Sequence, residues 1–172
     1  MRILSFLVAT GIALAAGSHA ADAGSPTFTD RLWSVTGNTC NVADESAGLY
    51  DTRGAGVGFL TGKIGTIRLY CPIYTSWNNG STHLFGGLGL SYNHPVLNGA
   101  NATISALLRK IDDGSNSATT LCTASSTNTG LDQTYCSSST TTSQHTTYYV
   151  QVDLTRTSTN VDPEFLAVYL YY

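Results

Sequence analysis

Residues 147–156 read TYYVQVDLTR. Tyr148, Val150, Val152 and Leu154 fall on one side of the alternation, and Tyr149, Gln151, Asp153 and Thr155 on the other. Side chains two apart share a face of a strand, whereas an amphipathic helix needs apolar residues three and four apart. The stretch therefore predicts a β-strand with an apolar face turned to a core and a polar face turned to solvent. That pattern belongs to an antiparallel sheet covered on one side only. No segment after residue 20 shows sustained helical periodicity with caps, so the fold class is all-β.

The same alternation recurs on either side. In Asn101–Ile111, Ile104, Ala106 and Leu108 oppose Ser105, Leu107 and Arg109. In Ile64–Ile73, Ile67, Leu69, Cys71 and Ile73 share a face. Phe165–Tyr172 is apolar on both faces, as a central strand is. Leu32–Thr36, Val57–Leu60 and a glycine-interrupted His83–Tyr92 are further strands. Ala118–Thr123 and Gln133–Ser137 read as the arms of a hairpin, with Asn128-Thr129-Gly130 near its tip. Ser137–Thr147 reads as a loop or a ragged edge strand. Turn signals stand between these runs at Asn78-Asn79-Gly80, Asn93-His94-Pro95, Asp112-Asp113-Gly114 and Asp162-Pro163. Short strands at this spacing predict one disulfide-bonded antiparallel β-sandwich of about eight strands over residues 32–172, Greek-key or jelly-roll-like in order. Leu166, Val168, Leu170 and Tyr172 alternate into an aromatic C-terminus, as a small outer-membrane barrel would. Such barrels need ~10-residue strands with a continuous lipid-facing band, and the glycines, short strands and cysteines disagree, so no integral membrane span is expected.

Residues 1–20 have the three parts of an export signal: Arg2, an apolar run from Ile3 to Ala16, and Ser18-His19-Ala20 before the cut. Cleavage is expected after Ala20, followed by a flexible lead-in over residues 21–31, in a secreted or periplasmic protein. The apolar run is too short for a transmembrane anchor. The chain carries 8 Lys+Arg against 11 Asp+Glu, a formal charge of −3, and loss of Arg2 makes it more negative. That balance argues against nucleic acid and against docking on an anionic membrane. Charged residues are only 11% of the chain, and Ser, Thr, Asn and Gly carry the polar load. The 4 cysteines are an even set in an exported chain, which predicts two disulfides. Of the three pairings, Cys40–Cys71 with Cys122–Cys136 is favoured, because each pair brackets short strands that can be neighbours. Such loops are worth roughly 3–4 kcal/mol each. A four-thiolate zinc site lacks the usual C-x2-C spacing.

Cys40, Cys71-Pro72-Ile73 and the closing Tyr148–Arg156 strand, continued by Ser158-Thr159-Asn160 and Phe165–Tyr169, resemble a recurrent pattern in exported bacterial β-sandwich proteins. The Cys122–Cys136 pair lies outside that pattern. Those proteins have no established activity, so the resemblance implies export and a sandwich and nothing about function.

Catalytic patterns are sparse. There is no G-x-S-x-G elbow for a serine nucleophile, and His83, His94 and His145 have no local partner set. The carboxylates of Asp44-Glu45, Asp112-Asp113, Asp162 and Glu164 sit in turns rather than in facing pairs. Asp112, Asp113 and Asn116 offer oxygen ligands close together, a weak calcium candidate whose letters equally spell a hairpin turn. No cofactor is expected. The strongest ligand-binding feature is Tyr74, Trp77, Asn78 and Asn79: flat apolar rings beside amides, as sugar recognition requires. Asn79-Gly80-Ser81 and Asn101-Ala102-Thr103 match the N-glycosylation pattern. The sequence thus points to a non-enzymatic exported binding or surface-associated module, with a glycan as one candidate ligand. The alternatives are an envelope-associated structural protein with a protein partner, and a hydrolase with an unrecognised site.

Overall fold

The stretch at 147–156 forms the middle of a five-stranded antiparallel sheet. The computed structural model describes residues 31–73, 84–94, 101–141 and 145–171. Eleven strands follow in order: β1 (Arg31–Thr36), β2 (Asn41–Val42), β3 (Tyr50–Arg53), β4 (Gly56–Phe59), β5 (Gly65–Pro72), β6 (Leu84–His94), β7 (Ala102–Asp112), β8 (Thr119–Ser125), β9 (Gly130–Thr141), β10 (Thr146–Arg156) and β11 (Glu164–Tyr171). One sheet runs β2-β5-β10-β7-β8 and the other β3-β4-β11-β6-β9. β1 also pairs with β11, along Ala167–Tyr171, on the edge whose start β4 occupies at Glu164 and Phe165.

The two sheets pack face to face as a sandwich. Ile67, Leu69, Ile104, Leu108, Val150, Val152 and Leu154 enter the core from one sheet. Phe59, Leu88, Leu90, Tyr92, Phe165, Val168 and Leu170 enter from the other. All fourteen are fully buried, and each contributes about 1.5–3 kcal/mol relative to an exposed position. β11, apolar on both faces, is a central strand. Arg156 is also buried, over the Phe59 ring at 5.6 Å. It donates to the carbonyls of Ser158 and Thr159 at 3.0 and 2.8 Å and reaches Asp162 at 3.5 Å, closing the turn before β11.

The strand count exceeds the expected figure because β2 and β3, of 2 and 4 residues, are too short to show alternation. The expected hairpin is corrected. β8 pairs with β7 in one sheet, and β9 pairs with β6 in the other. The segment between them crosses the sandwich edge and is held there by buried partners. Ser126 exchanges hydrogen bonds with the Ile104 backbone, and Tyr92 Oη accepts the N–H groups of Thr127 and Asn128 at 3.2 Å. Asn93 and His94, read as a turn, instead extend β6, where the buried His94 ring lies 2.9 Å from the Ala102 carbonyl. Residues 137–141 are edge strand rather than loop.

Both favoured disulfides form. Cys40–Cys71 joins neighbouring chains within the five-stranded sheet, with Cα atoms 4.4 Å apart. Cys122–Cys136 ties β8 to β9 and therefore one sheet to the other. No helix among the described residues is long and apolar enough to cross a membrane.

Candidate functional site

Leu88 and Leu90 of β6 point into the core, so Gly87, Gly89 and Ser91 line the outer face of the six-stranded sheet. Glycine weakens a strand unless another group lies on it. Here β11 supplies that group. Tyr171 pairs with Gly87 and Tyr169 with Gly89, and a Cβ at either glycine would run into the facing tyrosine ring. Both tyrosines lie across β6 and reach β9. Tyr171 donates to the Cys136 carbonyl at 3.0 Å, and Tyr169 to Gln133 Oε1 at 2.9 Å. Tyr135 donates to the same Gln133 oxygen at 2.7 Å and stands edge-on to both rings at 6.0 and 6.4 Å.

Beside this aromatic floor is a groove of about 420 Å³ lined by Ser91, Leu131, Asp132, Gln133 and Tyr135. Its polar groups are held in place. Asp132 accepts the Gln133 N–H at 2.7 Å and the Asn128 amide at 2.5 Å. Gln133 Oε1 takes two tyrosine O–H donors, so its amide N–H groups remain as donors for an outside acceptor. Leu131 is 75% exposed. A flat aromatic and an aliphatic side chain next to an amide, a carboxylate and a hydroxyl match the apolar face and hydroxyl rim of a pyranose.

The outer face of the five-stranded sheet carries a different array. Arg68 grips Asp153 with Nε at 2.8 Å and Nη2 at 3.4 Å, and this pairing raises the guanidinium pKa above its ordinary value. Gln151 donates to Asp153 Oδ2 at 2.9 Å and accepts from Arg109 Nη1 at 2.7 Å. Gln151 is only 6% exposed although it sits on an outer face. Tyr70 and Tyr149 lie on the same face, edge to face at 6.0 Å.

Tyr74, Trp77, Asn78, Asn79 and His83 lie outside the described residues. Asp112, Asp113 and Asn116 are exposed at the β7 end. The Asp112 carboxyl sits below its ordinary pKa because Lys110 and Thr146 donate to it. Asp113 instead faces His145 at 3.4 Å, both largely exposed. Among the described residues no three His, Cys, Asp or Glu side chains gather as metal ligands. The groove residues and Arg109 carry no motif. Their signals are the glycines opposite tyrosines and the outward set Tyr149, Gln151 and Asp153.

No family model matches the chain, and no curated protein matches it. Among solved structures, it is similar to a family two carbohydrate esterase from Cellvibrio japonicus: 12% identity and TM-score 0.43, over 81% of this chain and 33% of that one. It is also similar to TmCBM61, solved with β-1,4-galactotriose: 14% identity and TM-score 0.43, over 78% and 82%. A CBM4 structure is similar at 9% identity and TM-score 0.32, over 77% and 74%. This chain thus spans about a third of the esterase. At these TM-scores the likeness carries no inference about ligands.

Proposed function

We propose that this chain is an exported, disulfide-bonded carbohydrate-binding module that holds a neutral glycan in the groove on its six-stranded sheet. The observation that carries the reading is the groove itself. Gln133 and Asp132 have their orientations set by neighbours, next to the half-buried Tyr135 and the exposed Leu131 that line the same groove. Sugar hydroxyls suit such prearranged planar groups, because little ordering cost remains at binding. Two disulfides and the signal-like residues 1–20 support export. The Tyr74–Asn79 set is a second candidate patch for the same ligand class.

A glycan array of the oxidised protein, with and without chelator, tests this. Saturable binding to related neutral sugars that is lost in Tyr135→Ala and Gln133→Ala is expected. Loss in Trp77→Ala alone would move the site to residues 74–79, and loss with chelator would bring Asp112–Asn116 in as a calcium site. A blank array would end the glycan reading. One observation then favours a protein partner: β9, of 12 residues, lies at a sheet edge, where an extended segment can add as a further strand.

A further inference from the structure

We propose that the outer face of the five-stranded sheet holds a second site, seated on Arg109, for the carboxylate of an acidic sugar. Arg53, Arg68 and Arg156 each lie within an ion pair with an Asp or Glu side chain. Arg109, half-buried, has no carboxylate within 4.0 Å among the described residues, in a chain where acids outnumber bases 11 to 8. Partners are plentiful, yet this cation is given only neutral ones, Gln151 Oε1 at 2.7 Å and the Ala118 carbonyl at 3.1 Å. A guanidinium has five N–H donors. Two are used here and Nε is buried with no acceptor, so the second hydrogens of Nη1 and Nη2 are the donors left for a ligand. A partly desolvated charge without a counter-charge is costly, and an incoming carboxylate relieves that cost with the planar geometry a guanidinium favours.

The surroundings say which carboxylate. Gln151 hands on to Asp153, but Asp153 is already gripped by Arg68, whose other contact is the exposed Glu45 at 3.5 Å. The row is therefore neutralised at its Arg68 end and left positive at Arg109. Tyr149 stands next to Arg109 in register on β10, and Thr120 on β8. Tyr149 with Tyr70 offers a ring face, and the exposed Thr120 offers a hydroxyl. Together they suit a uronic acid, whose pyranose covers the tyrosine while its carboxylate meets Arg109. This site is independent of the groove on the opposite sheet.

Titration calorimetry of the disulfide-bonded protein tests it with three probes: trigalacturonate, its methyl ester, and a glutamate-rich peptide. Trigalacturonate is expected to bind saturably. Its affinity should fall at least tenfold on methyl esterification, fall as strongly in Arg109→Gln, fall less in Arg109→Lys, and stay unchanged in Tyr135→Ala. The ester comparison uses unaltered protein, so it stands even if Arg109→Gln folds poorly. Equal affinity for acid and ester, binding of the peptide alone, or no binding of trigalacturonate would overturn the proposal. Loss of neutral-glycan binding in Tyr135→Ala, with trigalacturonate binding intact, separates the two sites.

Discussion

Gly89→Ala adds one methyl group where the Tyr169 ring lies, and the two cannot share that space. Tyr169 is 2% exposed, so its ring must lift from the sheet to make room. A buried aromatic covers ~150–250 Å², and re-exposing about half of that costs ~2.5 kcal/mol at ~25 cal/mol/Å². The hydrogen bond from Tyr169 to Gln133 adds about 1 kcal/mol to the loss. Replacing glycine narrows the unfolded ensemble and returns about 0.4–1 kcal/mol. The net expectation is a loss of ~3 kcal/mol, read as a lower urea midpoint with unchanged slope and a melting temperature about 6–12 °C lower. A double-mutant cycle isolates the cause. With Tyr169→Ala already present, Gly89→Ala should be neutral or slightly stabilising, giving a coupling of ~3 kcal/mol between residues directly opposed across β6 and β11. If Gly89→Ala alone leaves stability within ~0.5 kcal/mol of the parent, the ring does not need that glycine and the account of the groove floor fails.

Asp112 has a folded-state pKa lowered by Lys110 and Thr146, so its contribution is fully present at neutral pH and is lost as pH falls through that lowered value. Its carboxyl carbon should titrate by NMR below 3.8, the ordinary value, and move up in Lys110→Gln; a midpoint at or above 3.8 in the parent protein would contradict the clamp. The disulfides close loops with separations of 14 and 31 residues. By loop entropy, Cys122→Ala/Cys136→Ala should cost ~3 kcal/mol and Cys40→Ala/Cys71→Ala ~4 kcal/mol, measured by urea unfolding under oxidising conditions. Unchanged midpoints would show that neither cross-link restrains the unfolded chain.

The legible part of this fold is the part written with period two. β5, β7 and β10 face a core on one side only, so burial marks every second residue, and Ile67, Ile104 and Val150 could be assigned inward before any pairing was known. The cysteine pairing was legible for a related reason, since each pair flanks strands short enough to be neighbours. Composition cannot separate a hairpin turn from a crossover, which is why β8 and β9 read as one hairpin. What sends them to different sheets is distant: Tyr92 and Ile104 hold residues 126–128 at the sandwich edge. The binding faces are harder still. Gly87 and Gly89 read as interruptions in a strand, and only the register with Tyr171 and Tyr169, some eighty positions later, turns them into seats for rings. Arg109 and Gln151 likewise meet only when β7 and β10 pair.

Both outer faces fix polar groups in advance of any ligand, and they do so with opposite balances of charge. On the six-stranded sheet every restraint on Gln133 and Asp132 comes from a neutral donor: two tyrosine hydroxyls, an amide and a backbone N–H. Neutral partners fix the Asp132 carboxylate and the Gln133 amide in place while leaving hydrogen-bonding capacity for sugar hydroxyls. On the five-stranded sheet the restraint is an ion pair at one end and, at the other, a guanidinium held only by neutral partners. Holding a side chain still before binding saves ~0.5–1.5 kcal/mol per immobilised residue at the moment of contact. That saving exists only while the floor beneath it is intact, so Gly89→Ala should weaken groove binding even under conditions where the variant remains fully folded. It should leave the Arg109 face untouched, because Tyr169 and Tyr171 lie on the outer face of the six-stranded sheet, across β6 toward β9, with the core between them and the outer face of β7.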